Sequence, residues 1–113
     1  MSSYNQLVMP DEEICPNCGS RIVRKVQFKY GEVWQHKYRM GEKIRWGAND
    51  VGKSGPSRVV VSAHPEPCPA CGDVPDTRDE ISIENDVIVR VEQVPVDKEY
   101  QRFGDQPFLV LED

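Results

Sequence analysis

Long hydrophobic runs are missing from this chain of 113 residues, and with no stretch of about 18 apolar residues, nothing in it reads as a membrane-spanning helix. Convincing helical periodicity is missing as well, which points to an all-β chain. Histidine is scarce, at two residues. Neither a Ser–His–Asp set nor a pair of carboxylates can be gathered from the order of residues, so catalysis has little to stand on. Residues 1–6 carry neither the basic nor the apolar segment of a secretory leader, and the expected setting is cytoplasmic and reducing. Apolar residues make up 38% of the chain against 29% charged, a lean supply for the core of one domain.

What is present is cysteine in a pattern. All four cysteines lie in two copies of one motif, Cys15-Pro16-Asn17-Cys18-Gly19 and Cys68-Pro69-Ala70-Cys71-Gly72. Two residues between the cysteines of a pair let one tight turn aim both sulfurs at a single ion. Proline after the first cysteine sets φ for that turn, and glycine after the second accepts the positive φ where the chain reverses. Backbone N–H groups then face the sulfurs and spread their charge. One such turn is shared with redox motifs, but two of the same extended form supply the halves of one tetrahedral site.

On these residues the chain resembles the zinc-ribbon class, in which two knuckles clamp one zinc ion between β-hairpins. The resemblance implies one structural Zn²⁺ held by Cys15, Cys18, Cys68 and Cys71, and a ribbon fold for the knuckles. The 49 residues between Cys18 and Cys68 exceed what a minimal ribbon needs, so no particular ribbon's activity is implied. The rival readings of the same cysteines are iron in a rubredoxin-like site, two disulfides, and a redox dithiol. Four thiolates leave no open metal position, which argues against a catalytic ion and for a protein that is not an enzyme.

The expected organisation is a flexible N-terminal arm (1–13), a zinc-ribbon β domain with an inserted β-meander (14–94, insert 20–63), and a C-terminal extension offering an edge strand (95–113). In the insert, Ile22, Val26, Phe28, Tyr30, Trp34, Tyr38, Met40, Ile44 and Trp46 fall on even positions, with Arg24 and His36 as the polar entries on that face, while Lys25, Gln27, Lys29, Gln35, Lys37, Arg39, Lys43 and Arg45 take odd ones. Period two predicts strands over 22–30, 33–40 and 43–46, broken at Gly31 and Gly41. Residues 47–57 read as an exposed loop and 58–63 as a β-branched strand. Asn85-Asp86 reads as the tight turn of a hairpin.

The formal charge is −5, and four thiolates with one Zn²⁺ would bring it to −7. That charge is segregated: residues 21–45 carry a local +6 and residues 46–113 a local −8. Lys25, Lys29, Lys37, Arg39, Lys43 and Arg45 are the candidate interaction surface, although lysines on an exposed sheet also serve simply to keep edges apart. The aromatic residues sit at the opposite parity, where they pack rather than stack on bases. Gly47 to Ser54 matches a phosphate-binding loop in letters, but Gly55-Pro56 and a β-branched run follow instead of a helix, so nucleotide is not expected. The expected role is a non-catalytic protein-interaction or accessory module with a charged protein partner, an inhibitor or immunity-type protein being one compatible case. The alternative is a nucleic-acid-binding ribbon that uses the basic residues.

Overall fold

The computed structural model describes residues 4–113. The elements are β1 (Asn5–Ile14), β2 (Arg21–Phe28), β3 (Gly31–Glu32), β4 (Lys37–Arg39), β5 (Asp50–Val51), β6 (Arg58–Pro65), β7 (Thr77–Glu84), β8 (Val87–Pro95), α1 (Val96–Phe103) and β9 (Phe108–Glu112). Seven strands form one sheet in the order β4-β1-β2-β6-β7-β8, with β9 pairing β6, while β3 and β5 make a separate two-stranded ribbon. The fold is therefore all-β as expected, with one short helix. No helix among the described residues is long and apolar enough to cross a membrane.

The sheet curls until its ends meet. Just beyond β4, Gly41 donates its N–H to Ile88 O (2.8 Å), Ile88 donates to Glu42 O (3.0 Å) and Ile44 donates to Asp86 O (2.7 Å). The inward residues form one cluster, including Leu7, Val26, Phe28, Tyr30, Tyr38, Val61, Ile81 and Ile88. Phe28 meets Tyr38 at 5.8 Å between ring centroids, and Tyr30 meets Trp46 edge to face at 5.3 Å. β6 serves as the hinge of the pattern. One of its sides carries β7, and the other is divided between β2 at Ala63–Pro65 and β9 at Arg58–Val61.

Three expectations are corrected. Asn5–Ile14 is not a mobile arm but a strand between β2 and β4, with Leu7 and Met9 buried; residues 1–3 of that arm lie outside the described residues. The acidic run Asp11-Glu12-Glu13 falls where the register with β2 slips between Val8 and Glu12, around Pro10, which has no N–H to offer a ladder. The three-stranded meander does not form either. β4 pairs in parallel with β1, not with β2, because Gln35 at φ 59° breaks the run between Val33 and Lys37. Trp34 is turned out by the same break and is 70% exposed instead of facing inward. Finally, residues Val96–Phe103 are a helix, whose C-terminus ends on Gly104 at φ 59°.

Buried Asn5 pins this rearranged segment. Its Nδ2 donates to Tyr30 O (3.2 Å) and Glu32 O (3.0 Å), and its Oδ1 accepts from His36 N–H (3.1 Å). Replacing Asn5 with alanine strands these backbone groups and should cost about 2–4 kcal/mol in urea unfolding, given 1–3 kcal/mol per orphaned group. A loss under about 0.5 kcal/mol would mean that water takes over its bonds.

Candidate metal centre

Each cysteine pair caps a strand pair. The first knuckle joins antiparallel β1 and β2, and the second joins antiparallel β6 and β7. The two turns repeat each other bond for bond. Cys15 N–H donates to Ser20 O (2.9 Å) and Gly19 N–H to Cys15 O (2.8 Å); Cys68 N–H donates to Asp73 O (2.8 Å) and Gly72 N–H to Cys68 O (2.8 Å). Gly19 and Gly72 hold φ of 74° and 79°, and no neighbour crowds either position, so the glycines answer a backbone demand and not a steric one.

The four sulfurs lie within 4.8 Å of one another. Cys15 Sγ stands 3.9 Å from Cys71 Sγ and Cys18 Sγ 3.9 Å from Cys68 Sγ, so each knuckle brings its sulfurs against those of the other. A tetrahedron with metal–sulfur bonds of about 2.3 Å has edges of about 3.8 Å, which these separations match, whereas a disulfide needs about 2.05 Å. Four cysteines are thus placed to bind one metal ion. Cys15 and Cys68 are buried, while Cys18 and Cys71 face solvent.

The surrounding donors favour thiolates. Ala70 N–H points to Cys68 Sγ (3.4 Å), and Asn17 Nδ2 reaches across to Cys71 Sγ (3.4 Å). The Ser20 N–H and hydroxyl bring Cys18 down to about 6, and the N–H groups of Ala70 and Cys71 lower Cys68. N–H groups of Cys18 and Asn17 also favour the Cys15 thiolate. Burial and the competing neighbours nonetheless push it up to about 11. Four crowded thiols cannot all ionise alone, and a dication removes that conflict.

His64 does not join the cysteines. It lies on β6 opposite Gln27, with burial and then the Arg78 charge lowering its pKa. His36 Nε2 meets Glu32 Oε1 at 3.0 Å. No helix begins at Lys53-Ser54, where the chain instead runs into β6.

The candidate cations are all exposed. Register places Lys37 beside Gln6 and Gln27, and Arg39 beside Val8 and Lys25, so Lys25, Lys37 and Arg39 share the outer face of three adjacent strands. Lys29 continues that face past the end of β2. Lys43 and Arg45 stand apart, at the closure opposite Val87 and against His36. None of the six is in an ion pair among the described residues, whereas Arg24, Arg58, Arg90 and Arg102 all are.

Sequence reasoning missed the buried ion pair beside the knuckles. Arg24 reaches Asp79 at 3.1 Å and Glu13 at 2.8 Å, with Asp79 fully buried. The available signal was an arginine at an inward parity position. No family model, curated protein or solved structure matches the chain.

Proposed function

We propose that this chain is a non-catalytic interaction module, stapled by one structural Zn²⁺ in a zinc-ribbon-like site, that docks a charged partner on its outer face. The carrying observation is the set of unpaired cations, Lys25 on β2 with Lys37 and Arg39 on β4, which flank β1 on the same face. A solvated face without ion pairs keeps its charge available to an acidic protein surface, which gives on-rate and orientation more than raw affinity. Zinc suits four thiolates and a reducing cytoplasm. Purified protein with equimolar zinc and no visible absorbance is the expected result, and a coloured, iron-loaded protein would overturn the assignment.

Nucleic acid is the second reading, favoured by Trp34 and Tyr100, which are 70% and 63% exposed and present free aromatic faces. Affinity capture should recover an acidic protein with the native chain and lose it with the Lys25→Glu, Lys37→Glu, Arg39→Glu variant. If RNA or DNA is the partner, the affinity for a labelled single strand instead falls with salt at a slope of about −0.7 per phosphate neutralised. A partner retained by the triple variant would remove this face from the function.

A further inference from the structure

β2 has a full neighbour on one side only. β1 pairs it from Arg21 to Phe28, interrupted only by the register slip at Arg24, whereas β6 reaches only Val26, Gln27 and Phe28. The last bond on that side runs from Glu66 N–H to Lys25 O (3.0 Å). Alternate residues of an antiparallel strand point their N–H and C=O to the same side, so Val23 aims both groups where Lys25 does. The register would set Cys68 opposite Val23. Cys68 instead spends its N–H inside its own knuckle on Asp73 O (2.8 Å), and Pro67 has no N–H to give. The metal knuckle therefore ends the ladder early and leaves a short strand edge open.

A groove of about 570 Å³ lies along that edge, lined by Ile14, Ile22, Val23, Pro67, Pro69 and Pro75. Ile14 and Val23 are 60% and 41% exposed there. Among the charged lining groups, Arg24 and Glu13 neutralise each other, leaving Lys25 against Glu66 and Asp73; Glu66 accepts a hydrogen bond from Gln6 Nε2 (2.5 Å) but keeps its charge, and neither carboxylate is in an ion pair among the described residues. The net charge of the free groups is negative. Self-association is disfavoured, since antiparallel pairing of β2 with its own copy about Val23 would set Arg21 against Lys25.

We propose that this groove takes an extended segment of a partner protein, alternating apolar and basic residues, as an added strand on β2 at Arg21–Val23. Main-chain bonds to Val23 supply affinity, the apolar walls take alternate side chains, and Glu66 and Asp73 select a basic residue. Lys25 borders both this groove and the outer face, whereas Lys37 and Arg39 lie two strands away on β4 and do not line the groove.

The test selects a displayed library of random peptides, about twelve residues each, on the metal-loaded full chain, with Val23→Pro as counter-target. Proline at 23 removes the groove-facing donor and leaves the bonds to β1 intact. Enriched peptides should alternate apolar and basic residues and bind Val23→Pro at least about tenfold more weakly, as expected where main-chain bonds carry the affinity. They should bind Lys37→Glu/Arg39→Glu unchanged and slow the exchange of the Val23 amide. If Val23→Pro unfolds, peptides N-methylated at alternate positions do the same work: one methylation phase abolishes binding and the other does not. No peptide enriched over the counter-target, equal binding by both methylation phases, or loss of binding in Lys37→Glu/Arg39→Glu would each overturn the proposal.

Discussion

Removing the metal with a chelator, or replacing Cys68 with serine, should lower the thermal midpoint by more than about 20 °C, the equivalent of some 4 kcal/mol or more in a chain of this size. Metal binding in small zinc modules supplies about 10 kcal/mol, comparable with the whole stability of an ordinary domain. In this fold the loss falls on a region with little else to hold it. None of the four cysteines belongs to the main apolar cluster, and each knuckle keeps itself together with only a few backbone bonds. Cys68 and Cys15 should matter more than Cys18 and Cys71, because a serine hydroxyl at a buried ligand position is left without its ion. Calorimetry of apo and loaded protein decides the matter. A metal-free chain that melts within a few degrees of the loaded one would make the site dispensable for folding.

Substituting Arg24 with methionine should cost about 3–5 kcal/mol at neutral pH, the range for orphaning a buried charge. Asp79 is fully buried and its pKa is raised by that burial, against which the Arg24 guanidinium pulls it down. With arginine gone, the carboxylate has no cation, and Glu13 loses its partner as well. The sign with pH follows from the raised pKa. A carboxyl that prefers its proton in the folded state costs stability as pH rises from the unfolded value, about 3.8, through the raised folded value. The variant should therefore sit closest to the native protein near pH 4 and fall behind steadily toward pH 7. Replacing Asp79 with leucine in the same chain should recover most of the loss, since apolar substitutes for buried pairs are often neutral. A pH-independent deficit, or no recovery in the double variant, would place the cost in packing rather than charge.

The parts that could be read in the sequence are those set by local chemistry. The paired C-P-x-C-G turns fold as read because every constraint in them lies within six residues. The hairpin at Asn85-Asp86 forms because both residues accept positive φ, 50° and 67°. Parity correctly named Val26, Phe28, Tyr30, Tyr38 and Ile44 as buried. Parity reports which way a side chain faces, however, and not which strand lies beside it. The parallel pairing of β4 with β1 thus stayed hidden behind an apparent meander. β1 was obscured by its acidic second half, though Leu7-Val8-Met9 is a short apolar run whose first and third residues share one face. The helix was short enough to escape periodicity, yet Pro95 before it, Asp97 and Glu99 in its first turn, Arg102 in its last and Gly104 after it are ordinary end signals. The open edge of β2 needed both register and the knuckle's internal bond to be seen.

The position of the two knuckles at the tips of two strand pairs also bears on how quickly the chain can find its fold. β2 and β6 must meet across more than thirty intervening residues, a costly loop to close before any contact rewards it. An ion captured by both tips holds the β1–β2 and β6–β7 pairs at a high effective concentration of one another. The slow search for the central pairing becomes a local one. Metal loading would then set the rate of folding as well as its yield, and a chain made faster than it is loaded would linger with Val26, Phe28 and the β6 edge uncovered.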